Sequence, residues 1–560
     1  MTRESTVNGK SAPIVNVARF LPEIARREGS RSAVKIARGR EGGGRIRYLE
    51  RSFQELDALS DAAAHLLRDR GVEKGTKVLL LVRPGLELVV LCFSLFKTGA
   101  VPVVIDPGMG LNGFLSCVRR TGPEVLLAIR KGIWISRLAR DSFRSVTRGI
   151  RVRGGEAFMG DLEPYTRKGS FPLAETVAED LAAILFTSGS TGPAKGVCYE
   201  HGMFEAQVRL IREQYGIQPG EVDLPMLPIF TLFNPALGMT TVVPEMNPSR
   251  PARVDPRKIV RAIQQNAVTN SFGSPVLWRK IGNYCREAGV RLPSLKRILM
   301  AGAPVPPETI RLFDSVLSDG AEIHTPYGAT EALPVSSISG SEVLQHTWKE
   351  TEKGAGTCVG RPFPEMEIAI LEASEAELPP ESLDARLPPG SIGEICVNGP
   401  VVTQEYHEQA EATRRAKISS RRGGRKWHRM GDLGYLDESG ILWFCGRKAE
   451  RVTLPDGNRL YTDCCEAIFN RHPKVFRTAL TGPVRDGAVR AVLWVEPESG
   501  HYPHSEAERS AFRSELLELG AAFPHTRGIE EIRFRRHFPV DVRHNAKIHR
   551  LQLKRILEKG

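Results

Sequence analysis

At 560 residues, 41% hydrophobic and 26% charged, the chain has ordinary globular composition and exceeds the size at which one apolar core stops growing, so two or more packed units are expected. Its 78 Lys and Arg against 65 Asp and Glu leave +13, which favours anionic substrates or partners. No nucleic-acid partner is expected, because each basic cluster carries a single ring: Trp427 beside Arg421, Arg422, Arg425 and Lys426, and Phe534 beside Arg533, Arg535 and Arg536.

No membrane span is expected either, since the most apolar stretch, Leu79 to Phe96, is broken by Arg83, Pro84 and Glu87. The N-terminus MTRESTVNGKSAP has no apolar signal core, and of nine scattered cysteines only Cys464 and Cys465 are adjacent. A reducing cytoplasm is the expected compartment.

From Phe53 to Pro107 the pattern predicts helix, strand, helix, strand: amphipathic spacing in FQELDALSDAAAHLLRDRG, then KVLLLV, then ELVVLCFSLFKTG, then VPVVID running into a Pro-Gly turn. Similar units recur at Leu181 to Phe186, Arg261 to Phe272, Leu295 to Met300 and Ala321 to Thr325. Short apolar strands alternating with helical segments predict an α/β fold of helix-flanked parallel sheets, with ligands at the carboxyl ends of strands. After about Gly354 the texture changes to short strands punctuated by Gly and Pro (EMEIAILE, GEICVNGP, GILWFCGR), which predicts a β-rich subdomain. The tail after about Arg447 has its own αβ pattern and is expected to end in a helix from Ala546 onward. Two units follow, 1–446 and a small α+β unit at 447–560.

The most informative segment is ILFTSGSTGPAKG (184–196), where an apolar strand runs into a loop of hydroxyl and glycine residues closed by Lys195. Glycines Gly189 and Gly192 let backbone N–H groups converge on anionic oxygens, Thr187, Ser188, Ser190 and Thr191 add hydroxyls, and Lys195 adds a mobile charge. Such a loop wraps phosphates, although it lacks the Gly-Lys-Ser/Thr ending of a Walker A loop. A flexible Ser/Gly linker is the bland alternative, and the apolar strand before it argues against that.

This segment resembles the phosphate loop of the acyl-adenylate-forming superfamily, with Ala194 where those proteins usually have proline. The resemblance continues in order along the chain. Ala301 to Pro304 (AGAP) looks like the turn that lies along adenine, assigning Gly302, Ala303 and Pro304 to nucleotide binding. In YGATE (327–331) it implies that Tyr327 stacks on adenine beside Gly328 and Ala329, that Thr330 contacts the α-phosphate and that Glu331 holds Mg²⁺. GDLGY (431–435) implies that Asp432 binds the ribose hydroxyls, with Arg447, fifteen residues on, at a hinge. NAKIHR (545–550) implies that Lys547 is the catalytic lysine, acting with Lys195, Thr330 and Glu331. The implied fold is that of acetyl-CoA synthetases, with a large N-terminal adenylation domain (1–446) and a small mobile lid (447–560). The implied cofactors are ATP and Mg²⁺.

Departures from the common pattern concern the acyl acceptor. In LPIFT (227–231) Thr231 stands where histidine is frequent near the passage for a thiol, Met430 replaces a threonine, Ala449 a charged residue and Ala546 a glycine. With AGTCVGRP (355–362), HRMGDLGY (428–435), LWFCGRK (442–448) and FPVDVRHNAKI (538–548), these look like one branch, the β-lactone synthetases of long-chain olefin biosynthesis. That resemblance implies a long-chain 2-alkyl-3-hydroxy acid as substrate and assembly with other olefin-pathway enzymes. The stretch 230–243 (FTLFNPALGMTTVV) either lines an acyl cavity or is ordinary core. Two other readings stay open: a long-chain acyl-CoA synthetase or acyl-AMP ligase, and a non-catalytic protein that has kept the fold. The joint presence of Lys195, Glu331 and Lys547 argues against the last.

Overall fold

The computed structural model describes residues 14–186, 194–227, 231–247, 253–421, 423–540 and 548–559. The helix Phe53–Asp69 begins where Ser52 and Glu55 form a reciprocal capping box, and its face of Phe53, Leu56, Leu59, Ala63 and Leu67 is buried. The next helix, Leu86–Thr98, has apolar residues all round and is buried to match, ending at Gly99 in a left-handed conformation (φ 71°). Lys97, in its last turn, is only 1% exposed, and its Nζ donates to Asp57 Oδ1 and Asp61 Oδ1, both at 2.6 Å.

These helices cover a six-stranded sheet, in the order Arg148–Arg151, Val125–Ala128, Lys77–Leu81, Val101–Ile105, Leu181–Phe186 and Gly196–Glu200. The first five strands run parallel and the last turns back antiparallel to Leu181–Phe186. This is the predicted alternation.

A second sheet, of fourteen strands among the described residues, extends from Ile46–Ser52 at one edge to Glu367–Leu371 at the other. Its middle is parallel, with Val222–Asp223, Asn270–Gly273, Arg297–Met300 and Glu322–Ala329 side by side. Beyond Glu322–Ala329 it becomes antiparallel through Ala332–Ser339, Thr357–Pro362, Leu442–Arg447, Trp427–Leu436 and Gly393–Asn398. The β-rich region is therefore not a free-standing sheet. Ser336 pairs with Pro362 and Ser337 with Arg361, which continues one ladder into the other.

After Arg447 the chain builds a separate three-stranded sheet, Val475–Thr481, Val492–Pro497 and Glu531–Phe534, with helices Thr462–Phe469, Glu506–Ala521 and Arg550–Lys559. Its core gathers Val452, Leu460, Phe469, Leu493, Phe512, Leu516 and Ile532. The last helix starts at Arg550, later than the expected Ala546, because Ile548 is held extended in a bridge with Val540. No helix among the described residues is long and apolar enough to cross a membrane.

Candidate active site

Six predicted phosphate-loop residues, Thr187, Ser188, Gly189, Ser190, Thr191 and Gly192, lie outside the described residues. The two flanks of the loop are fixed. Phe186, at the end of the buried strand, pairs with Gly196, where a Cβ would stand 2.6 Å from the Phe186 ring. The Ala194 carbonyl accepts from Arg120 Nη1 at 2.7 Å. The exposed Lys195 projects its ammonium over the ring of Tyr406, 4.7 Å from the centroid.

YGATE closes the parallel part of the large sheet. Tyr327, Gly328 and Ala329 end the strand Glu322–Ala329, and Thr330 and Glu331 form the turn into Ala332–Ser339, with Ala329 opposite Ala332. A Cβ on Gly328 would meet the Ala332 carbonyl oxygen at 2.7 Å, so only glycine lets the hairpin close here. The turn is held from outside. Tyr199 donates its hydroxyl to the Thr330 carbonyl at 2.6 Å, and Thr403 donates to the Glu331 carbonyl from its N–H (2.9 Å) and Oγ1 (3.0 Å). Glu331 Oε1 accepts from the Tyr406 hydroxyl at 2.8 Å. Behind Thr403, the buried Lys417 donates to its Oγ1 (3.0 Å) and its carbonyl.

A second constellation meets at Asp432, 2% exposed: Tyr327 donates its hydroxyl to Oδ2 at 2.6 Å and Arg447 approaches Oδ1 at 2.7 Å. Asp432 and Arg447 are direct cross-strand partners, which is why a fifteen-residue separation in sequence becomes contact in space. The Asp432 charge raises the pKa of Arg447. Burial and the same carboxylate push the Tyr327 phenol far up, so both remain donors.

Gly302, Ala303 and Pro304 follow the strand Arg297–Met300, the parallel neighbour of the Tyr327 strand in the register Leu299 to His324. They therefore leave the same end of the sheet as Tyr327, with Gly302 at φ 95°. Lys547 lies outside the described residues. Three residues on, Arg550 is clamped by Glu466 Oε2 at 2.7 Å and Glu450 Oε2 at 2.9 Å.

Lys195 and Glu331 thus share one neighbour, Tyr406, while Tyr327, Asp432 and Arg447 are hydrogen-bonded into one group. Tyr406, Thr403, Lys417 and Tyr199 carry no motif that sequence reading recognises; they lie in or after a strand or in a basic run and acquire their places only through the fold. Of the proposed acyl stretch, Ala236, Leu237, Met239 and Val242 pack into the core, while Leu232 and Phe233 are half-buried. Thr231 is buried, and Asn234 donates to Asp223 Oδ2 (2.9 Å) and Thr241 Oγ1 (2.8 Å). This segment is mostly core.

With this geometry in place, comparison with known proteins is decisive. The AMP-binding enzyme family matches residues 24–407. The chain belongs to that family. As an AMP-binding enzyme it is an ATP-dependent acyl-adenylate-forming ligase, as the ordered motifs imply. It is 43% identical over 555 residues to the olefin beta-lactone synthetase of Xanthomonas campestris pv. campestris, covering 98% of each chain. It is 42% identical over 546 residues to that of Stenotrophomonas maltophilia, covering 96% of this chain and 97% of the other. Among solved structures, ATP-bound MatB from Rhodopseudomonas palustris superposes with a TM-score of 0.76 at 19% identity, covering 98% of this chain and 99% of that one. The AMP complex of O-succinylbenzoate coenzyme A synthetase from Bacillus subtilis gives 0.72 at 20% identity, covering 96% and 98%. These structural likenesses bear on the fold of this AMP-binding enzyme, and they agree with the acetyl-CoA synthetase-like architecture.

Proposed function

We propose that this enzyme activates a long-chain 2-alkyl-3-hydroxy fatty acid as its acyl adenylate and then closes it to a β-lactone, within the reducing cytoplasm. The observation that carries the reading is near-full-length identity above 40% to two olefin beta-lactone synthetases, which also rationalises Thr231 at a position where a thiol route often has histidine.

In the first half-reaction a carboxylate oxygen attacks the α-phosphorus of ATP and pyrophosphate leaves. Lys195 and Lys547 supply positive charge, Thr330 orients the α-phosphate, and Tyr327 with Gly302 to Pro304 receives the base. Asp432 and Arg447 receive the ribose. Glu331 suits Mg²⁺: it is a hard carboxylate at a turn, Oε1 is fixed by Tyr406, and among the described residues Oε2 accepts no hydrogen bond. When bound there, the ion would neutralise phosphate charge.

In the second half-reaction the substrate's own 3-hydroxyl oxygen attacks the adenylated carbonyl carbon, the bond from that carbon to the phosphate oxygen breaks, AMP departs with that oxygen, and the hydroxyl proton passes to solvent. An internal nucleophile held beside the carbonyl has high effective molarity, and the mixed anhydride offsets ring strain. Residues 1–446 act as the adenylation unit and 447–560 as a lid that turns between the two steps. Assembly with the enzymes that make the acid and consume the lactone is part of the same proposal.

The test is mass spectrometry of products from a synthetic 2-alkyl-3-hydroxy acid with ATP, with and without coenzyme A. The expected product has the substrate mass less one water, appears with AMP, and needs no coenzyme A. A thioester, or an adenylate that goes no further, would replace this reading with that of an acyl-CoA synthetase or acyl-AMP ligase.

A further inference from the structure

Tyr406 lies outside the named strands, yet it joins two distant parts of the site. Its backbone bridges antiparallel to Val197, while His407 N donates to the Gly196 carbonyl at 2.8 Å and Cys198 N to the Glu405 carbonyl at 3.4 Å. Residues 405–407 are thereby stitched to the strand that leaves Lys195. The side chain, 4% exposed, then spans the remaining distance: its ring lies under the Lys195 ammonium and its hydroxyl reaches Glu331 Oε1.

A tyrosine is two-faced in charge. The π-face accepts only a cation and the hydroxyl donates readily to an anion, so each end of Tyr406 meets the partner whose sign suits it. Lys195 and Glu331 lie at opposite ends of this one side chain, and without it the ammonium and the carboxylate would be free to pair, a pair that an entering metal-bound triphosphate would have to break.

We propose that Tyr406 is a positioning residue that holds Lys195 and Glu331 apart, so that the lysine meets phosphate and the carboxylate meets a divalent cation instead of one another. This rests on the roles given above to Lys195 and Glu331. The geometry around it favours the same conclusion. Glu331 is fixed at its main chain by Thr403, leaving its carboxylate direction to the Tyr406 hydroxyl. Tyr406 is in turn anchored by its own N–H to Thr413 Oγ1 at 3.0 Å. A cation–π contact to an exposed ammonium is weak, so Lys195 is stationed without being captured.

Two variants separate the two faces. Tyr406→Phe keeps the ring under Lys195 and removes the hydroxyl; Tyr406→Leu removes both. Mn²⁺ binding in the presence of ATP is followed by the loss of its free paramagnetic resonance signal, and ATP binding without divalent ion by calorimetry. With Tyr406→Phe, half-saturation by Mn²⁺ is expected to rise about tenfold, the scale of one hydrogen bond to a charged group, with metal-free ATP affinity unchanged. Tyr406→Leu is expected to weaken metal-free ATP binding as well.

A merely structural role would lower both affinities together in both variants. Wild-type Mn²⁺ binding in Tyr406→Phe, or equal behaviour of Phe and Leu, would overturn the proposal, and the Phe variant, nearly isosteric, keeps it testable if Leu does not fold. If the wild-type protein itself bound ATP without any dependence on divalent ion, the assignment of Glu331 would fall first, which distinguishes the two failures.

Discussion

Lys417 is a cation placed where a cation is costly. Burial pushes its pKa down to about 7, with Lys426 and Arg425 acting in the same direction and Glu331 and Glu200 opposing them. In the unfolded chain the same lysine titrates near 10.4, so between about 7 and 10 the unfolded state holds a proton that the folded state has released. Stability from this group therefore rises with pH across that window, by up to about 1.4 kcal/mol per pH unit, and is flat below it. Lys417→Met should lack the slope. Urea midpoints of wild type and variant, taken from pH 7 to pH 9, should show the wild type rising relative to the variant; parallel lines would show that Lys417 keeps its proton. Nothing in RRAKISSRRGGRK distinguishes Lys417 from its solvated neighbours, because burial of one basic residue in a basic run is decided by the strand Trp427–Leu436 with which it pairs. Asp432 and Arg447 were legible for the opposite reason: their motifs carry them, and an antiparallel ladder turns the spacing into a contact.

At the level of elements, local periodicity carried most of the fold. The helix at Phe53, the buried strand before the phosphate loop and the glycine stop at Gly99 all follow from residue spacing and caps. Joining of strands did not, since the pairing of Ser336 with Pro362 links segments distant in sequence that carry no local signature. The helix Leu86–Thr98 shows the same limit at its end. Lys97 reads as a polar terminus, yet it sits between Asp57 and Asp61 on the neighbouring helix, nearly inaccessible to water. Lys97→Ala would strand two carboxylates there and should cost about 3–5 kcal/mol, read as a fall in the denaturation midpoint. Adding Asp57→Asn and Asp61→Asn should recover a substantial part of that loss. If it does not, the triad owes its cost to packing rather than charge.

For the whole molecule, the clamp on Arg550 bears on the catalytic role proposed for Lys547. Lys547 is three residues away, and three residues of extended chain span at most about 11 Å, so its range is measured from Arg550 wherever the lobe carries it. Glu450 and Glu466, which hold Arg550, both follow Arg447, so this anchor belongs to the part proposed to turn. Lys547→Ala should abolish pyrophosphate release with ATP binding largely intact. Arg550→Lys, which keeps charge but loses the forked contact to Glu466, should slow the same step without weakening ATP; an effect on ATP affinity in place of rate would put Arg550 in the nucleotide site.

Asp432 gives the turnover cycle a different economy. Its carboxylate already has a phenol and a guanidinium for company, so under the proposed ribose role an arriving sugar would displace resident hosts that return when it leaves. On that proposal, loading and unloading the nucleotide would be a swap of companions at a dry anion that need not stand alone.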